Sequence, residues 1–421
     1  MIWTLGGLPI IALLLGLPVF AALLIGVIAT IGFVMPLPAT MLHQNMFGAI
    51  SSYTLLAVPF FLFAGELMGR GGISSRIIEW VLALVGRTPG AVGLVAVGTS
   101  GVYGAISGSS PATVASISRQ IYPDMIKSGY SSRFSIGLIN AGGAISVVIP
   151  PSINFLLYGA VAEQSIVRLF TAGILPGLLM LGVLAVAVVI YASRNGIHEG
   201  KTFSFSHLVA TTKRASWALM APVIVLGTIY GGIATPTEAG GVACVYAIFV
   251  TTIIHRDLTA RDVIRIAGSS ALLTAQIMII VAAAGVFSWV LTISGFQGAL
   301  SSFVANLDVQ PWMILLAINL VLLIVGCFID PTSAILTLTP LLLPIATQIG
   351  IDPIHFGVIM TVNLAIGMYT PPFGLNLFVT QATLKVSTME IYRGVIPFAL
   401  LQIIALMIVT YVPALSLILI Q

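Results

Sequence analysis

Residues 142–154 of this chain read GGAISVVIPPSIN, and this stretch decides how the rest of the sequence is interpreted. It lies inside a long apolar segment, yet it contains paired glycines, paired prolines and small polar residues. A helix in lipid must satisfy its own backbone, so such a break is tolerated only where it faces protein or a polar cavity. Residues 363–376 read NLAIGMYTPPFGLN and carry the same double proline 221 positions later. The sequence therefore predicts two matched interrupted helices.

A second pair of breaks lies upstream of the double prolines. Residues 104–113 read GAISGSSPAT, and residues 329–333 read IDPTS. Each places a polar residue directly before proline, which is typical of a helix N-cap followed by the first helical position. Ser110 and Asp330 are the predicted N-caps, and residues 104–110 are the predicted first tip. The apolar arms around each tip are short for a full crossing, so we expect two re-entrant helical hairpins.

The matches between the two halves keep a nearly constant spacing. Pro111 pairs with Pro331 at an offset of 220, and four pairs share an offset of 221: Pro150, Pro151, Gly173 and Pro176 with Pro371, Pro372, Gly394 and Pro397. Residues 294–310 contain no Lys or Arg, whereas basic residues follow the first hairpin. Because Lys and Arg mark cytoplasmic loops, the hairpins are expected on opposite sides of the membrane. Inverted repeats of this kind are typical of secondary transporters.

The composition supports a membrane protein and excludes several function classes. Hydrophobic residues make up 59% of the 421 residues and charged residues only 7%, whereas a soluble domain carries about a quarter charged residues. At about 20 residues per span, the chain holds roughly ten spans. No Walker motif and no metal-ligand spacing is present, and nucleic acid is not implied. Cys244 and Cys327 are expected to be packing residues.

The expected organisation follows from these patterns. Residues 3–34 are read as two short spans broken near residues 16–18, or as one long tilted helix, and in either case as retained helix rather than signal peptide. Residues 75–85 form an amphipathic interfacial helix. Further spans are expected at 53–68, 134–162, 166–192, 217–230, 237–254, 267–293, 356–383 and 395–420, with a basic cytoplasmic loop at 194–214 and a second hairpin at 312–348. The expected divisions are residues 1–87 and 164–310 as scaffold with an arm in each, 88–163 and 311–384 as the two transport elements, and 385–421 as the last helix.

Asp330 is the strongest single candidate for a residue that binds an ion or substrate. An ionisable group at membrane depth costs at least about 2.5 kcal/mol and is usually functional, so it would bind Na+ or accept a substrate hydroxyl or amine. The double-proline breaks free backbone carbonyls, and oxygen-only coordination suits a hard cation such as Na+. Simple capping at the tips and structural kinks at the prolines are the alternatives. Asn154 and Asn376 would bond either substrate or the freed carbonyls.

Three other features have mainly structural interpretations. Glu66 lies one turn from Arg70, and the two side chains are expected to extend together toward the interface, although a transport role is not excluded. Residues 235–238 read TPTE, which has the form of a capping box. Residues 104–108 superficially resemble a hydrolase elbow around Ser107, but such an elbow needs a preceding strand and a histidine partner.

Six stretches together resemble the large membrane subunit, of the DctM type, of tripartite ATP-independent periplasmic (TRAP) transporters. They are PFFLFAGELM at 59–68, GAISGSSPAT at 104–113, GGAISVVIPPS at 142–152, GIATPTEA at 232–239, and IDPTS at 329–333 with TPPFGLN at 370–376. The resemblance runs over essentially the whole chain. It implies an all-α polytopic membrane protein of the ion-transporter superfamily, with two re-entrant hairpins and an elevator mechanism.

The resemblance also implies a function and a set of positions. The chain is expected to import a small organic acid across the bacterial inner membrane with Na+ as coupling ion, without catalysis or another cofactor. The expected partners are a small four-helix membrane subunit and a periplasmic substrate-binding protein. The implied Na+ positions are Ser107, Ser110, Gly143, Val148 and Pro150 in the first half, and Gly326, Asp330, Gly367 and Thr370 in the second. Substrate contacts are expected at Ser109, Ser152 and Asp330, with Asn154 and Asn376 added from the residues themselves.

Three alternatives remain at this point. A stand-alone Na+/anion symporter of the wider superfamily would share the hairpins but need no binding protein. An intramembrane hydrolase would use Ser107, for which the sequence offers no evident histidine partner. A channel would need a charged ring or a continuous polar helix face, and neither pattern is present.

Overall fold

The computed structural model describes residues 3–86, 88–197, 204–306 and 309–420, and within these ranges the chain is helical with no strand. The first half contains eleven α-helices in the part described: α1 Leu8–Leu14, α2 Val19–Phe33, α3 Ala39–Ile50, α4 Ala57–Arg70, α5 Ile73–Val85, α6 Ala91–Ser107, α7 Ser110–Gln120, α8 Tyr122–Lys127, α9 Ser132–Ile145, α10 Ile153–Val161 and α11 Ile166–Arg194. A single π-helical turn precedes α1.

The second half continues the series within the same described ranges. Its helices are α12 Phe205–Tyr230, α13 Pro236–Ile248, α14 Ala260–Ile293, α15 Phe296–Ala305, α16 Pro311–Phe328, α17 Pro331–Gln348, α18 Pro353–Gly367, α19 Leu375–Leu384, α20 Thr388–Tyr411 and α21 Ala414–Leu417. The all-helical prediction is confirmed.

The first two helices form a short antiparallel pair. The chain breaks between Leu14 and Val19, as the glycine and proline there predict, and the alternative of one long helix is wrong. The Thr30 hydroxyl donates to the Thr4 hydroxyl across 2.8 Å, which holds the two arms together. A Cβ on Gly26 would lie only 2.7 Å from the Pro9 ring, so glycine permits the close approach.

Both predicted interruptions are confirmed. α9 ends at Ile145 and α10 begins at Ile153, while α18 ends at Gly367 and α19 begins at Leu375. The peptide bonds Pro150–Pro151 and Pro371–Pro372 are both cis. The two double-proline segments therefore have the same local geometry in the two halves.

The first hairpin tip is narrower than predicted. Residues 104–107 belong to α6, and only Gly108 and Ser109 separate α6 from α7. Gly108 has a φ of +57°, which glycine adopts without strain, and this ends α6 one turn later than expected. The predicted N-cap Ser110 is wrong by one residue, because Ser109 is the N-cap and its side chain makes no cap bond. Asp330 is the N-cap of α17, as predicted.

This correction makes the internal repeat more regular. The two caps at the tips, Ser109 and Asp330, are 221 positions apart, which is the offset of the double prolines. The pairing of Pro111 with Pro331 is therefore out of register by one residue. The caps of the following helices, Ser165 before α11 and Ser387 before α20, keep almost the same spacing. The tips and the breaks thus belong to one duplicated unit.

Several predicted boundaries were wrong outside that unit. The loop expected at 194–214 is partly helical, because Ser204 caps α12 and Lys213 and Arg214 lie inside that helix. The central part of the loop, with Lys201, lies outside the described residues, as does Arg87. α14 begins at Ala260 rather than 267, since Thr259 and Asp262 form a capping box there. α20 begins at Thr388 rather than 395 and ends at Tyr411, and α3 was not predicted.

Five helices in the described ranges are long and apolar enough to cross a membrane: Ile166–Arg194, Pro236–Ile254, Ala260–Ile293, Pro311–Phe328 and Thr388–Tyr411. The pair Ala39–Ile50 and Tyr53–Arg70, bent by 55°, brings the number to six. This is fewer than the ten spans expected from length. The difference arises because many apolar segments are divided into shorter helices by the breaks described above.

The helices pack as two groups, which contact each other through pairs such as α4 with α6, α4 with α10 and α14 with α17. α4 packs against α13 and α14, and α14 also contacts α2 and α3. In the other group α9 packs against α20, α16 against α18, and α7 against α19. The amphipathic helix α5 contacts both α12 and α6, so it bridges the groups. Hairpin 1, formed by α6 and α7, and hairpin 2, formed by α16 and α17, both belong to the second group.

Candidate ion and substrate site

Hairpin 1 rests directly on the first double-proline break. A Cβ added to Gly104 would lie 2.6 Å from the Ser146 Cα, so α6 and the end of α9 are in backbone contact. A Cβ on Gly108 would lie 3.5 Å from the Pro151 carbonyl oxygen. The tip of hairpin 1 and the first break therefore form one continuous surface.

Hydroxyl groups cluster inside this tip. Ser107 Oγ lies 3.2 Å from Thr113 Oγ1 and accepts from the Ser109 amide at 3.4 Å. Thr113 Oγ1 also donates to the Ser109 carbonyl at 2.8 Å. Ser107 is only 5% exposed and Ser110 is fully buried. The predicted residues Ser107, Ser109 and Ser110 are thus brought together, and Thr113 joins them although the sequence did not single it out.

One hydrogen bond links this tip to the second half of the chain. Asn376 Nδ2, at the start of α19, donates to Ser110 Oγ across 2.7 Å. One turn further on, Thr380 Oγ1 donates to Asn140 Oδ1 on α9 across 3.0 Å. Ser110, Asn376, Asn140 and Thr380 are all fully buried. The second break therefore packs against hairpin 1 through polar contacts between the repeats.

The carbonyls of the first break differ in how many hydrogen bonds they accept. Gly143 O accepts from both the amide and the hydroxyl of Ser146, at 3.2 and 2.6 Å. The Ser152 hydroxyl, which is buried, donates to Val147 O. No hydrogen bond from the described residues reaches the carbonyls of Val148 or Pro150. Among the predicted positions, these two carbonyls retain the most capacity to bind a hard cation.

Hairpin 2 rests on the second break in the same way. Cβ atoms on Gly326 and Gly367 would lie 3.1 Å and 2.6 Å from the Cα of the opposite glycine. A cavity of about 130 Å³ lies between the tip and the break, lined by Gly326, Asp330, Met368, Leu375 and Phe378 among others. Gly326 and Asp330 therefore lie where the sequence predicted, beside the break.

Asp330 is paired with backbone and side-chain donors of its own helix. Its Oδ2 accepts from the Ser333 amide at 3.0 Å and its Oδ1 accepts from the Ser333 hydroxyl at 2.6 Å. The residue itself is exposed. The capping interpretation is confirmed by these bonds, while the role of the carboxylate toward an ion stays a prediction.

The carbonyls of the second break are largely occupied. Gly367 O accepts from the Thr370 amide at 3.1 Å, and Met368 O accepts from the Asn376 amide at 2.9 Å. The Thr370 hydroxyl donates to the Ile366 carbonyl at 2.7 Å. The Pro372 carbonyl accepts from Tyr392 Oη at 2.6 Å. Gly367 and Thr370 are therefore close together and their backbone oxygens are occupied, whereas the carbonyls of Tyr369 and Pro371, which match Val148 and Pro150, accept no hydrogen bond from the described residues.

Asn154 and Asn376 each leave a buried polar atom without a hydrogen-bond partner among the described residues, as do Asn363 and several other buried side chains. The two atoms are Asn154 Nδ2, a donor, and Asn376 Oδ1, an acceptor. Asn154 is 4% exposed and Asn376 is fully buried. An unsatisfied buried polar group costs about 1–3 kcal/mol, so each is an atom that a ligand or a bound water can satisfy. These are the two asparagines that the sequence predicted as substrate contacts.

A polar crevice of about 410 Å³ opens beside hairpin 1, between α4 and α7. At one end Gly65 of α4 touches hairpin 1, because a Cβ there would lie 2.7 Å from the Ser107 carbonyl oxygen. Ser116 and Arg119 of α7 line the crevice further along. Glu66 pairs with Arg70 at 3.0 Å, as predicted, and both side chains line the same space. The crevice therefore runs from the hairpin tip beside Gly65 toward Arg70 and Arg119 at its other end.

Other predicted features have the structural roles expected. Thr235 and Glu238 form a capping box at the start of α13. Cys244 and Cys327 are buried thiols without a disulfide. Within the described ranges no group of three His, Cys, Asp or Glu residues could hold a metal ion. Ser107 Oγ bonds only Thr113 and Ser109 in this part of the chain, so it lacks the activating base that a hydrolase needs.

Three contacts at the site were not predicted: Ser333 beneath Asp330, Thr113 beside Ser107, and the pair Asn140 with Thr380. Ser333 and Thr113 each lie three or four residues into a helix that begins at a predicted tip, so helical spacing could have found them. Asn140 and Thr380 belong to different halves, and no pattern in the sequence indicates that they meet.

The duplicated breaks and tips have a counterpart in known families. A model of the DctM component of tripartite ATP-independent periplasmic transporters matches residues 7–415. The chain belongs to this family. It is therefore a large permease subunit and a multi-pass membrane protein, and its relatives carry no enzymatic name.

The names of relatives in the DctM family mention different transported solutes. The chain is 41% identical over 373 residues to the C4-dicarboxylate TRAP transporter large permease protein DctM of Pseudomonas aeruginosa, covering 89% of this chain and 87% of that protein. It is 40% identical over 410 residues to the isethionate TRAP transporter permease protein DctMQ of Oleidesulfovibrio alaskensis, covering 96% of this chain but only 64% of that protein. It is 37% identical over 396 residues to the ectoine/5-hydroxyectoine permease UehC of Ruegeria pomeroyi, covering 93% and 92%.

Two solved transporter structures share the fold of this DctM family member at low identity. The YdaH transporter of Alcanivorax borkumensis matches with a TM-score of 0.62 and 14% identity, over 90% of this chain and 89% of that chain. MtrF of Neisseria gonorrhoeae matches with a TM-score of 0.61 and 12% identity, over 91% and 84%. At this identity the likeness shows the fold alone.

Proposed function

We propose that this permease subunit imports a small organic anion together with Na+, by an elevator movement of the helix group that carries both hairpins. The observation that carries the proposal is the hydrogen bond between Asn376 and Ser110, which joins the break of one half to the hairpin tip of the other. Together with the contact between Gly108 and Pro151, it makes one polar region from elements far apart in sequence.

Na+ is the coupling ion that the oxygen atoms of this region suit. The carbonyls of Val148 and Pro150 accept no hydrogen bond from the described residues, and the hydroxyls of Ser107 and Ser110 lie on the adjoining tip. In the second half Asp330 would supply a carboxylate, with Gly326, Gly367 and Thr370 around it. Hard oxygen ligands favour Na+ over transition metals.

The substrate is proposed to be a small organic anion. The helices α7 and α10 begin at the tip and at the break, so their N-terminal amides and positive dipole ends are directed at the same region. The Ser109 hydroxyl and the unpaired Nδ2 of Asn154 would add donors for a carboxylate or sulfonate, and the Ser152 hydroxyl could do so only by releasing the Val147 carbonyl. The names of the relatives include a C4-dicarboxylate and isethionate, which are both anions.

Two partners are part of the proposal. A small membrane subunit would complete the permease, and a periplasmic binding protein would deliver the substrate. The relative named DctMQ supports the first, because this chain spans only 64% of it and the rest is long enough for a second membrane subunit. The bacterial inner membrane is the compartment that these partners imply.

The main test is uptake by purified permease in proteoliposomes. Radiolabelled C4-dicarboxylate and isethionate would be supplied with the small subunit and the binding protein encoded beside it, under an inward Na+ gradient. Uptake should require Na+ and fail with K+ at the same osmolarity. Equal uptake with both cations would overturn the coupling, and full uptake without binding protein would favour the stand-alone symporter.

The elevator part needs its own experiment. Glu66 on α4 and Ser116 on α7 line the same crevice from opposite helix groups. In a background where Cys244 and Cys327 are replaced by Ala, the pair Glu66→Cys and Ser116→Cys would be bridged with a bifunctional thiol reagent. Bridging should stop uptake, and cleaving the linker should restore it. Uptake that continues in fully bridged protein would contradict relative movement of the two groups.

A further inference from the structure

A large groove lies away from the proposed transport site, on the outer face of the helix group that carries the hairpins. It is a groove of about 1030 Å³ between α9, α11 and α20. Its walls are apolar and include Val183, Val186, Ile190, Leu401 and Ile404. Val186, Ile190 and Ile404 are each about half exposed, so the groove opens outward instead of toward the other helices.

The length of the groove fits one leaflet of a bilayer. It runs along α11 from Leu179 to Arg194 and along α20 from Arg393 to Ile404. At 1.5 Å per residue these stretches measure roughly 17–22 Å, slightly more than half of a hydrocarbon core of about 30 Å. An acyl chain entering from one membrane surface would be covered along most of its length.

Three arginines stand at one end of the groove. Arg133 lies at the start of α9, Arg194 ends α11 and Arg393 lies near the start of α20, and all three are exposed. None of them forms an ion pair or hydrogen bond with the residues that the structure describes. The neighbouring carboxylate of Glu390 instead accepts from the Ser132 hydroxyl. Three guanidinium groups from three helices therefore face one opening without a counter-ion.

Beneath the arginines the groove is lined by tightly packed aromatic rings. Phe134 stacks on Tyr191 with ring centroids 3.7 Å apart and meets Phe398 edge-on at 5.1 Å. Behind these rings α9 and α20 touch through their backbones, since a Cβ on Gly137 would lie 2.1 Å from the Gly394 carbonyl. Such packing leaves the shape of the groove largely preformed, which lowers the cost of binding.

We propose that this groove binds an anionic phospholipid, with the phosphate at Arg133, Arg194 and Arg393 and an acyl chain along α11 and α20. Clustered arginines favour phosphate through bidentate hydrogen bonds, and the apolar walls favour hydrocarbon over a small hydrophilic solute. The arginine end is the one that the charge distribution assigns to the cytoplasm, where anionic lipids are attracted by basic residues near the membrane surface. A helix of a membrane partner would fill the apolar part but leave three unpaired charges at its end.

The test uses the purified full chain and lipids of defined headgroup. Native mass spectrometry would count retained palmitoyl-oleoyl phosphatidylglycerol and phosphatidylcholine on the wild type and on the triple variant Arg133→Gln, Arg194→Gln, Arg393→Gln. The triple variant should bind phosphatidylglycerol at least tenfold more weakly, with little change for phosphatidylcholine. The control is Arg256→Gln, Arg261→Gln, Arg265→Gln, which removes three exposed charges elsewhere and should leave the preference unchanged.

A second variant tests the acyl-chain part independently of charge. Gly182 lines the groove, and a Cβ there meets no atom within 4 Å, so Gly182→Phe has room for its first side-chain atom and would place its ring in the groove. It should displace phosphatidylglycerol while thermal unfolding stays unchanged. Wild-type lipid retention in both the arginine variant and Gly182→Phe would overturn the proposal. The proposal would also be overturned if the small membrane subunit displaced the lipid and itself failed to bind the triple arginine variant.

Discussion

The two halves of the duplicated unit have the same backbone but different surroundings. In the first half the hydroxyls of the tip are buried, and Gly65 of α4 covers Ser107. In the second half Asp330 is exposed, and Phe328 and Phe373 beside it are 60% and 54% exposed with ring centroids 5.5 Å apart. We call each hairpin tip together with the double-proline break beneath it a notch: α6–α7 with residues 146–152, and α16–α17 with residues 368–374. The repeat fixes the geometry of each notch, while the neighbouring helices determine how far it is buried.

The two notches also differ in charge. At each break two matched carbonyls accept no hydrogen bond from the described residues, Val148 and Pro150 in the first and Tyr369 and Pro371 in the second, and the second notch adds a carboxylate at its tip. One site would be buried and built from neutral oxygens, and the other would be exposed and contain a charged ligand. The Na+ affinity of the exposed site would be weakened more by water, because solvent screens the attraction between Na+ and the carboxylate. The following predictions test whether this asymmetry is real.

The largest effect is expected where the hairpins touch the breaks. Gly104→Ala puts a Cβ 2.6 Å from backbone of Ser146, whereas Gly326→Ala puts one 3.1 Å from Gly367. Overpacking against backbone costs typically about 1–3 kcal/mol, so Gly104→Ala should destabilise near the upper limit and Gly326→Ala near the lower. Thermal unfolding in detergent would measure both. Gly227→Ala, in α12 with no atom within 4 Å of the new Cβ, should be neutral or stabilising.

A somewhat smaller effect is expected on Na+ binding when the charged ligand of the second notch, Asp330, is replaced. Asp330→Asn removes the carboxylate but keeps an N-cap, so the cost should fall on Na+ binding: about 2 kcal/mol, or roughly thirtyfold in the Na+ concentration for half-maximal uptake. The matched control is Asp352→Asn, which alters an aspartate that also caps a helix before proline but lies at the opposite end of α18. An unchanged Na+ titration for Asp330→Asn would remove this residue from the site.

The bond between the two notches should contribute about 1 kcal/mol. Ser110→Ala and Asn376→Ala each break it, so the double variant should be less destabilised than the sum of the single variants. A thermodynamic cycle from chemical unfolding in detergent would measure the coupling. Strict additivity would mean that the halves meet without this bond and would weaken the idea of one shared site.

The smallest effect is expected for a cap outside both notches. The Thr235 hydroxyl accepts from the Glu238 amide at 3.3 Å, and the Glu238 carboxylate accepts from the Thr235 amide at 2.8 Å. Removing the hydroxyl of such an N-cap typically costs about 1 kcal/mol. Thr235→Ala should therefore lower the melting temperature in detergent slightly and leave the Na+ dependence of uptake unchanged. An altered Na+ dependence would show that the Asp330 result is not specific to the notches.

Much of the fold could be predicted because residue types at the breaks themselves determine where the helices are interrupted. Double prolines, glycines and Asp before Pro constrain the backbone directly, so both interruptions and the cap at Asp330 were located correctly. The first tip was misplaced because two serines precede Pro111 and either could be the cap. Gly108, with a φ of +57°, ends α6 directly before Ser109 and so leaves Ser109 as the cap.

The candidate site could be predicted only in part. The positions at each tip and break follow from the repeat, but which carbonyls are occupied depends on partners such as Ser146 and Tyr392 that lie in other turns or helices. Helix boundaries in basic regions were also missed, since charge patterns locate a membrane side but do not distinguish loop from exposed helix. Capping at Ser204 and Thr259 made those segments helical.

The contact between Gly65 and Ser107 has a mechanical consequence. Bare backbone of α4 faces a carbonyl of hairpin 1, so no side chain interlocks at this contact between the two helix groups. If the two groups slide past each other as proposed, no side chain of α4 has to pass over an obstacle at this point. A methyl group at position 65, only 2.7 Å from the Ser107 carbonyl oxygen, would hinder that proposed movement.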